Sequence, residues 1–148
     1  RGEVTINSAD PTQLPKIIPN YLSTEGDRKI AIDSIKVARK IAEADSLKKH
    51  IIDEYVPGQS FISDEELLEA AKNNSQSIYH PVGTCKMGHD ENSVVDERLK
   101  VHGIYGLRVV DASIMPELVS GNTNAPTMMI AEKAAEMILS DNNPSLTM

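Results

Sequence analysis

"SGNTNAPTMMIAEKAAEMILSD", residues 120–141, decides how the chain is built. Met129, Ile130, Lys133, Ala134, Met137 and Ile138 recur at spacings of three and four, which predicts a helix running through about residue 139. Asn124 stands where an N-cap is wanted, and Pro126 falls in the first turn, where its missing N–H costs nothing. Just upstream, "LRVVD" at 107–111 is a short β-branched run without alternation, the pattern of a strand covered on both faces in a parallel sheet. A strand, a glycine-bearing loop and a helix in that order bring unpaired N–H groups and the positive end of the helix dipole to one place. Such a place favours an anionic or electron-rich ligand.

The first 22 residues read as strands and turns. "GEVTINS" alternates, with Val4 and Ile6 expected inward, and "KIIPNY" reads as a second short strand that Pro19 confines to an edge or an end. From residue 26 the period changes. Ala31, Ser34, Ile35, Ala38, Ile41 and Ala42 mark one face of an amphipathic helix with Asp27 near its start as a cap, and Ser46–Glu54 continues as a second helical piece. "VPGQS" at 56–60 breaks the pattern, and Ser63-Asp64-Glu65-Glu66 opens a short helix through Ala71 with a capping box. Residues 141–148 read as a frayed tail.

Composition excludes several classes. The 148 residues make one ordinary domain's worth of chain, and 40% of them are hydrophobic, enough for a core. A net charge of −7 without a basic patch argues against nucleic acid as a partner. No apolar run approaches the ~18 residues of a transmembrane helix. One cysteine excludes an internal disulfide framework and fits a reducing compartment, so a cytoplasmic setting is expected. The chain opens on Arg1 in strand-like sequence, the expectation for a piece of a longer polypeptide.

The chemistry concentrates in "YHPVGTCKMG", residues 79–88. His80, Cys85, His89 and His102 are all possible zinc ligands, but the spacing matches no common closed site and offers a single thiolate, so no metal is expected. "DENSVVDE" at 90–97 carries carboxylates but lacks the glycine and the final glutamate of a calcium loop. Cys85 could pair with His80 as a nucleophile, although a lone cysteine is more often a small packed residue. Asn73 in "NNS" is a formal glycosylation acceptor and reads as chance. The remaining reading makes His80 an acid–base group partnered by an amide, Asn122 or Asn124, from the second loop.

"YHPVGTCKMG", then "VVDERLKVHGIYGLRVVDASIMP", then "SGNTNAPTMMIAEKAAEMI", taken with the opening "RGEVTINSADPTQLPKIIPNYL" and "DRKIAIDSIKVARKIA", resembles the C-terminal region of the glucose–methanol–choline (GMC) oxidoreductases, nearest to choline-dehydrogenase-like alcohol dehydrogenases. The likeness covers roughly residues 1 to 140, with separated motifs in the right order. It implies an FAD-dependent enzyme that oxidises an alcohol to an aldehyde or ketone. It implies His80 as the base that takes the hydroxyl proton, and Asn122, in the "SGN" loop, as the group that hydrogen-bonds the same oxygen. It further implies FAD contacts from Asp111, Ala112, Asn122, Asn124, Ala125, Pro126 and Thr127. The chemistry is consistent: hydride leaves a carbon readily once its oxygen has alkoxide character, and a neutral imidazole beside that oxygen supplies this at modest cost. Pro81, Gly83 and Gly88 would stiffen the histidine loop and let its backbone approach a flat cofactor.

One departure bears on architecture. The Gly-x-Gly-x-x-Gly dinucleotide fingerprint is absent, so the N-terminal FAD-binding part of the family is the expected missing partner, with a small-molecule alcohol as substrate. The fold class expected is α+β: residues 1–78 belong to the substrate-binding domain as a small antiparallel sheet with helices, and 79–140 form the catalytic loop and a strand and helix returning to a Rossmann-like FAD-binding domain. Two rival functions remain at this level, a flavin-containing cyanohydrin lyase on the same fold and a non-catalytic structural fragment that needs a partner chain.

Overall fold

The computed structural model describes residues 1–142. The chain divides into two compact units that meet between Ser77 and Ile78. The architecture is α+β: a two-stranded antiparallel sheet and four helices.

In the first unit, β1 (Glu3–Thr5) pairs with β2 (Lys16–Ile18) in the register Val4 opposite Ile17. Pro19 ends β2, as a residue without an N–H must. Val4 is exposed rather than inward, because among the described residues the sheet has two strands and presents both faces; Ile6, also exposed, lies beyond the end of β1.

Helix α1 (Glu25–Ala42) begins one turn earlier than its periodicity suggests. Its N-cap is Thr24, whose hydroxyl accepts from the Asp27 N–H, while Asp27 itself pairs with Arg1 at 3.0 Å. The half-buried side of α1 carries Ala31, Ile32, Ile35, Arg39 and Ala42; Ser34, Ala38 and Ile41, expected on that face, are exposed. Arg39 accounts for the rotation. Its guanidinium binds both carboxylate oxygens of Glu54 at 3.0–3.1 Å and also donates to the carbonyls of Phe61 and Gly58, at 2.8 and 3.1 Å. Four acceptors drawn to one planar cation outweigh the apolar periodicity of the helix.

The second helical piece is a single turn, α2 (Asp45–Lys48), and the expected continuation to Glu54 is irregular backbone. Helix α3 (Asp64–Asn74) has the capping box: Ser63 Oγ accepts from the Glu66 N–H, and the Glu66 carboxylate accepts from Ser63 and Ile62 N–H at 2.9 Å. Those backbone donors hold the Glu66 carboxyl below its usual range. Helix α3 packs on α1 and buries Leu67, Ala70 and Ala71.

The second unit is knitted by turns around one apolar cluster. Val95, Leu99, Ile114, Met115, Ile130 and Ala134 form its core. Isolated bridges join Met87 to Val95, Val95 to Val101 and Lys100 to Arg108. The strand expected over 107–111 is therefore reduced to one rung at Arg108, since a strand needs a ladder and Lys100 is its only partner among the described residues.

Helix α4 (Asn124–Asn142) runs further than expected. Asp141 and Asn142, assigned to the tail by sequence, are its last two residues, and 143–148 lie outside the described residues. The extension has a cause in Asp141, whose carboxylate is gripped by Arg98 and Lys100, each at 2.6 Å, and by Arg108. Helix α4 buries Ile130 and Ala134 on one side, yet Met128, Met129 and Leu139 are exposed on others, an apolar surface on more than one face. No helix among the described residues is long and apolar enough to cross a membrane.

Candidate active site

His80 enters its loop from an unusual backbone. Tyr79 has φ +61°, a left-handed conformation that a bulky residue rarely adopts, and Pro81 fixes the following step. The loop is then strapped to the Asp111–Met115 turn: Cys85 N–H donates to the Ser113 carbonyl at 3.0 Å and Met87 N–H to the Ile114 carbonyl at 2.8 Å. Gly83, at φ +87°, lies where a Cβ would stand 3.2 Å from the Met115 carbonyl oxygen, and a Cβ on Gly88 would meet Ser93 Oγ at 2.6 Å. Both glycines thus make close contacts inside this unit.

The turn is shaped by Asp111, whose carboxylate oxygen accepts from the Ser113 N–H at 2.8 Å and caps the 3-10 turn Ala112–Ile114. This turn packs against α4. Asp111 is therefore spoken for by its own turn, and Ala112 is part of it. At the other end of the site, the first bond of α4 runs from the Thr127 N–H to the Thr123 carbonyl at 3.0 Å, joined by the Thr127 hydroxyl at 2.6 Å. Thr123, not Asn124, is thus the residue that precedes the helix and receives its first bond. Asn124 and Ala125 are exposed, their N–H groups have no partner among the described residues, and Pro126 has none to offer.

The decisive geometry is at the imidazole. Asn122 Nδ2 stands 2.7 Å from Nε2 of His80, and Thr123 Oγ1 stands 2.8 Å from Nδ1. An amide nitrogen can only donate, so Nε2 carries the lone pair. Of the residues singled out in the sequence, His80 and Asn122 are brought into contact and the first turn of α4 adjoins them. Thr123 was not among them. Its local signal is a capping residue type at the start of the helix, a signal that the adjacent Asn124 shares.

The other candidates are dispersed. His89 lies 3.6 Å from Glu97 with both side chains exposed, and His102 Nε2 bonds the Gly88 carbonyl at 3.0 Å. The described residues hold no group of three or more His, Cys, Asp or Glu placed to bind a metal. Asp90, at the head of the acidic loop, pairs with Lys86 at 2.9 Å and accepts from the Asn92 N–H, so its carboxyl sits below the usual range through the lysine first and the turn second.

Comparison with known proteins decides the family. The profile described as GMC oxidoreductase matches residues 1–131. The chain belongs to the GMC oxidoreductase family. It is 53% identical over 139 residues to an alcohol dehydrogenase [acceptor] of Pseudomonas putida, covering 94% of this chain and 25% of that protein. It is 49% identical over 138 residues to an oxygen-dependent choline dehydrogenase of Escherichia coli, covering 93% of this chain and 25% of the other. Among solved structures, a formate oxidase of Aspergillus oryzae, described for its FAD modification, superposes with a TM-score of 0.86 at 34% identity over 95% of this chain and 25% of that one. The chain spans about a quarter of the length of the curated relatives it matches. The GMC assignment places the two-strand sheet and four helices in a C-terminal region of that fold.

Proposed function

We propose that this chain is the C-terminal part of an FAD-dependent GMC enzyme that oxidises an alcohol, with His80 as the base and Asn122 as the partner of the reacting oxygen. The observation that carries the reading is the 2.7 Å contact between Asn122 Nδ2 and His80 Nε2. A hydroxyl oxygen placed between these atoms accepts from Nδ2 and donates to Nε2, so the direct contact is exchanged for two hydrogen bonds. His80 then takes the proton, and Asn122 stabilises the charge left on oxygen without competing for it.

The residues present fit FAD. The exposed, unpartnered N–H groups of Asn124 and Ala125 lie at the start of a 19-residue helix next to His80 and Asn122. Such a set of donors suits the edge of a flavin that gains negative charge on reduction. Asn122, Asn124, Ala125, Pro126 and Thr127 would hold that edge, with Ala112 and Asp111 supporting the turn behind it. When bound, FAD supplies the acceptor for the hydride that leaves the carbinol carbon. The pyrophosphate cradle has no counterpart here, since the Gly-x-Gly-x-x-Gly fingerprint is absent from the sequence. The exposed apolar residues of α4 fit a helix that packs into the remainder of a longer polypeptide. On this reading the first unit, Arg1–Ser77, would be part of the substrate-binding domain.

The test is anaerobic stopped-flow reduction of the full-length flavoenzyme by a primary alcohol. Wild type bleaches its flavin, and His80→Ala slows that step by roughly 10²–10⁴-fold. A His80→Ala enzyme that bleaches as fast as wild type removes the base from His80. An enzyme that cleaves a cyanohydrin and is not bleached by any alcohol would be a lyase.

A further inference from the structure

Among the described residues of the second unit, Thr123 is the buried polar one, and its hydroxyl is spent on the imidazole of His80. We propose that Thr123 is a positioning residue: its Oγ1 accepts the Nδ1–H of His80 and so holds the ring in the tautomer whose Nε2 lone pair faces the site. The inference rests on the reading of His80 as the base, and adds to it the group that makes the base competent.

The hydrogen-bond inventory leaves one arrangement. A neutral imidazole has one N–H and one lone pair. Asn122 Nδ2, at 2.7 Å, claims the lone pair of Nε2. The proton is then on Nδ1, and Thr123 Oγ1, at 2.8 Å, accepts it. With the proton on Nε2 instead, two N–H groups would face each other at 2.7 Å and the ring could not receive a proton from the substrate hydroxyl.

Thr123 is well held for this task. Its carbonyl accepts from both the N–H and the hydroxyl of Thr127, at 3.0 and 2.6 Å, so it cannot shift without unwinding the first turn of α4. Its β-branched side chain restricts χ1. The two hydrogen-bond partners of the ring, Asn122 and Thr123, are both neutral, and the described residues give His80 no ion pair. The tautomer is therefore set by a hydroxyl acceptor and not by a carboxylate. When Nε2 takes the substrate proton, both ring nitrogens carry hydrogen and the bond to Oγ1 becomes charge-assisted. The acceptor thus favours the protonated ring as well as the correct neutral tautomer.

The experiment uses the full-length holoenzyme with ¹⁵N-labelled histidine rings, the His80 signals being assigned by their loss in His80→Ala. Wild type, above the midpoint of its pH–rate profile, should show the neutral ring protonated at Nδ1. Thr123→Val removes the acceptor while keeping the shape: the ring proton should move toward Nε2, flavin reduction should slow about tenfold, the effect of one lost hydrogen bond, and the midpoint should move to lower pH. Thr123→Ser should keep the wild-type tautomer and midpoint. A wild-type ring protonated at Nε2 overturns the proposal without any variant, and so does a Thr123→Val enzyme that keeps both the Nδ1 proton and the wild-type midpoint. If His80→Ala reduces its flavin at the wild-type rate, the reading of the base fails, and the ring resonances still decide what Thr123 does.

Discussion

His102 donates from Nε2 to the carbonyl of Gly88 at 3.0 Å, and this bond closes the far end of the loop that His80 opens. The two histidines divide the loop between them. His102 offers a proton to a carbonyl that cannot return one, so it fixes backbone. His80 instead has both ring nitrogens engaged by side chains, Asn122 at Nε2 and Thr123 at Nδ1. His102→Ala should leave alcohol-driven flavin reduction within a few-fold of wild type and lower stability by about 1 kcal/mol, the worth of one exposed hydrogen bond. Rapid-mixing kinetics beside a urea melt separates the two effects, and a large rate loss with intact stability would transfer chemistry to His102.

With Asn122 in its proposed role, Asn122→Ala should slow reduction by on the order of 10²-fold while FAD stays bound, the effect of removing one preorganised donor at the reacting oxygen. The flavin content of the purified variant and its single-turnover reduction rate check the two halves of that statement. An unchanged rate reduces Asn122 to loop structure.

Local chemistry was legible in the sequence wherever the partners are near in the chain. Ser63 and Glu66 announce their capping box, Pro19 ends β2, and Asn122 follows the glycine that marks a loop. What was not legible depends on partners far away. The half-buried side of α1 is set by Arg39, whose acceptors lie 15 to 22 positions later, and no periodicity within α1 encodes that. The end of α4 is set by Asp141, whose cations sit 33 to 43 positions upstream; locally the same stretch reads only as polar and fraying. The contact of His80 with Asn122 spans 42 positions; the residues alone leave Asn122 and Asn124 as alternatives, and the family resemblance singles out Asn122. Thr123 was missed for a local reason, since two neighbouring residues competed for one cap.

Arg39→Ala should destabilise the first unit by about 2 kcal/mol, since it strands the Glu54 carboxylate and two carbonyls together. Arg39→Lys should recover little of this, because a point-like ammonium cannot span acceptors that a planar fork reaches at once. Urea unfolding of the three proteins reads the ordering. A lysine variant as stable as wild type would mean that charge alone, and not the fork, holds α1 to the following loop.

Gly83→Ala and Gly103→Ala isolate steric approach from backbone conformation. Both positions have left-handed φ, +87° and +76°, so both should lose about 1–2 kcal/mol to the added Cβ. Gly103 has open space around that Cβ, whereas Gly83 places it 3.2 Å from the Met115 carbonyl. The Gly83 variant should therefore lose more stability, and in the full-length enzyme it alone should slow reduction, since its loop carries His80. Equal melting shifts for the two would show that the Met115 contact relaxes freely.

Asp141 gives a dependence on pH whose sign is fixed. Lys100 first, with Arg98 and Arg108 behind it, holds its carboxyl well below the ordinary aspartate range, against an opposing desolvation that is second only to Lys100 in size. A group whose folded-state value is depressed stabilises the fold fully above its unfolded value, about pH 4 for aspartate. That contribution declines as pH falls below about 4 toward the lower folded value, where both states become protonated. Asp141→Asn should therefore lower the melting temperature most at neutral pH, where the wild-type carboxylate is charged, and the two proteins should converge as pH falls below about 4. The loss should exceed that of an ordinary surface pair, because the variant leaves Arg98, Lys100 and Arg108 facing one another around a neutral amide. Salt separates the causes: added salt screens the repulsion among the three cations and should narrow the gap between variant and wild type. Melting curves across pH and ionic strength for both proteins test this. A gap independent of pH and salt would show that Asp141 stabilises α4 through its hydrogen bonds alone.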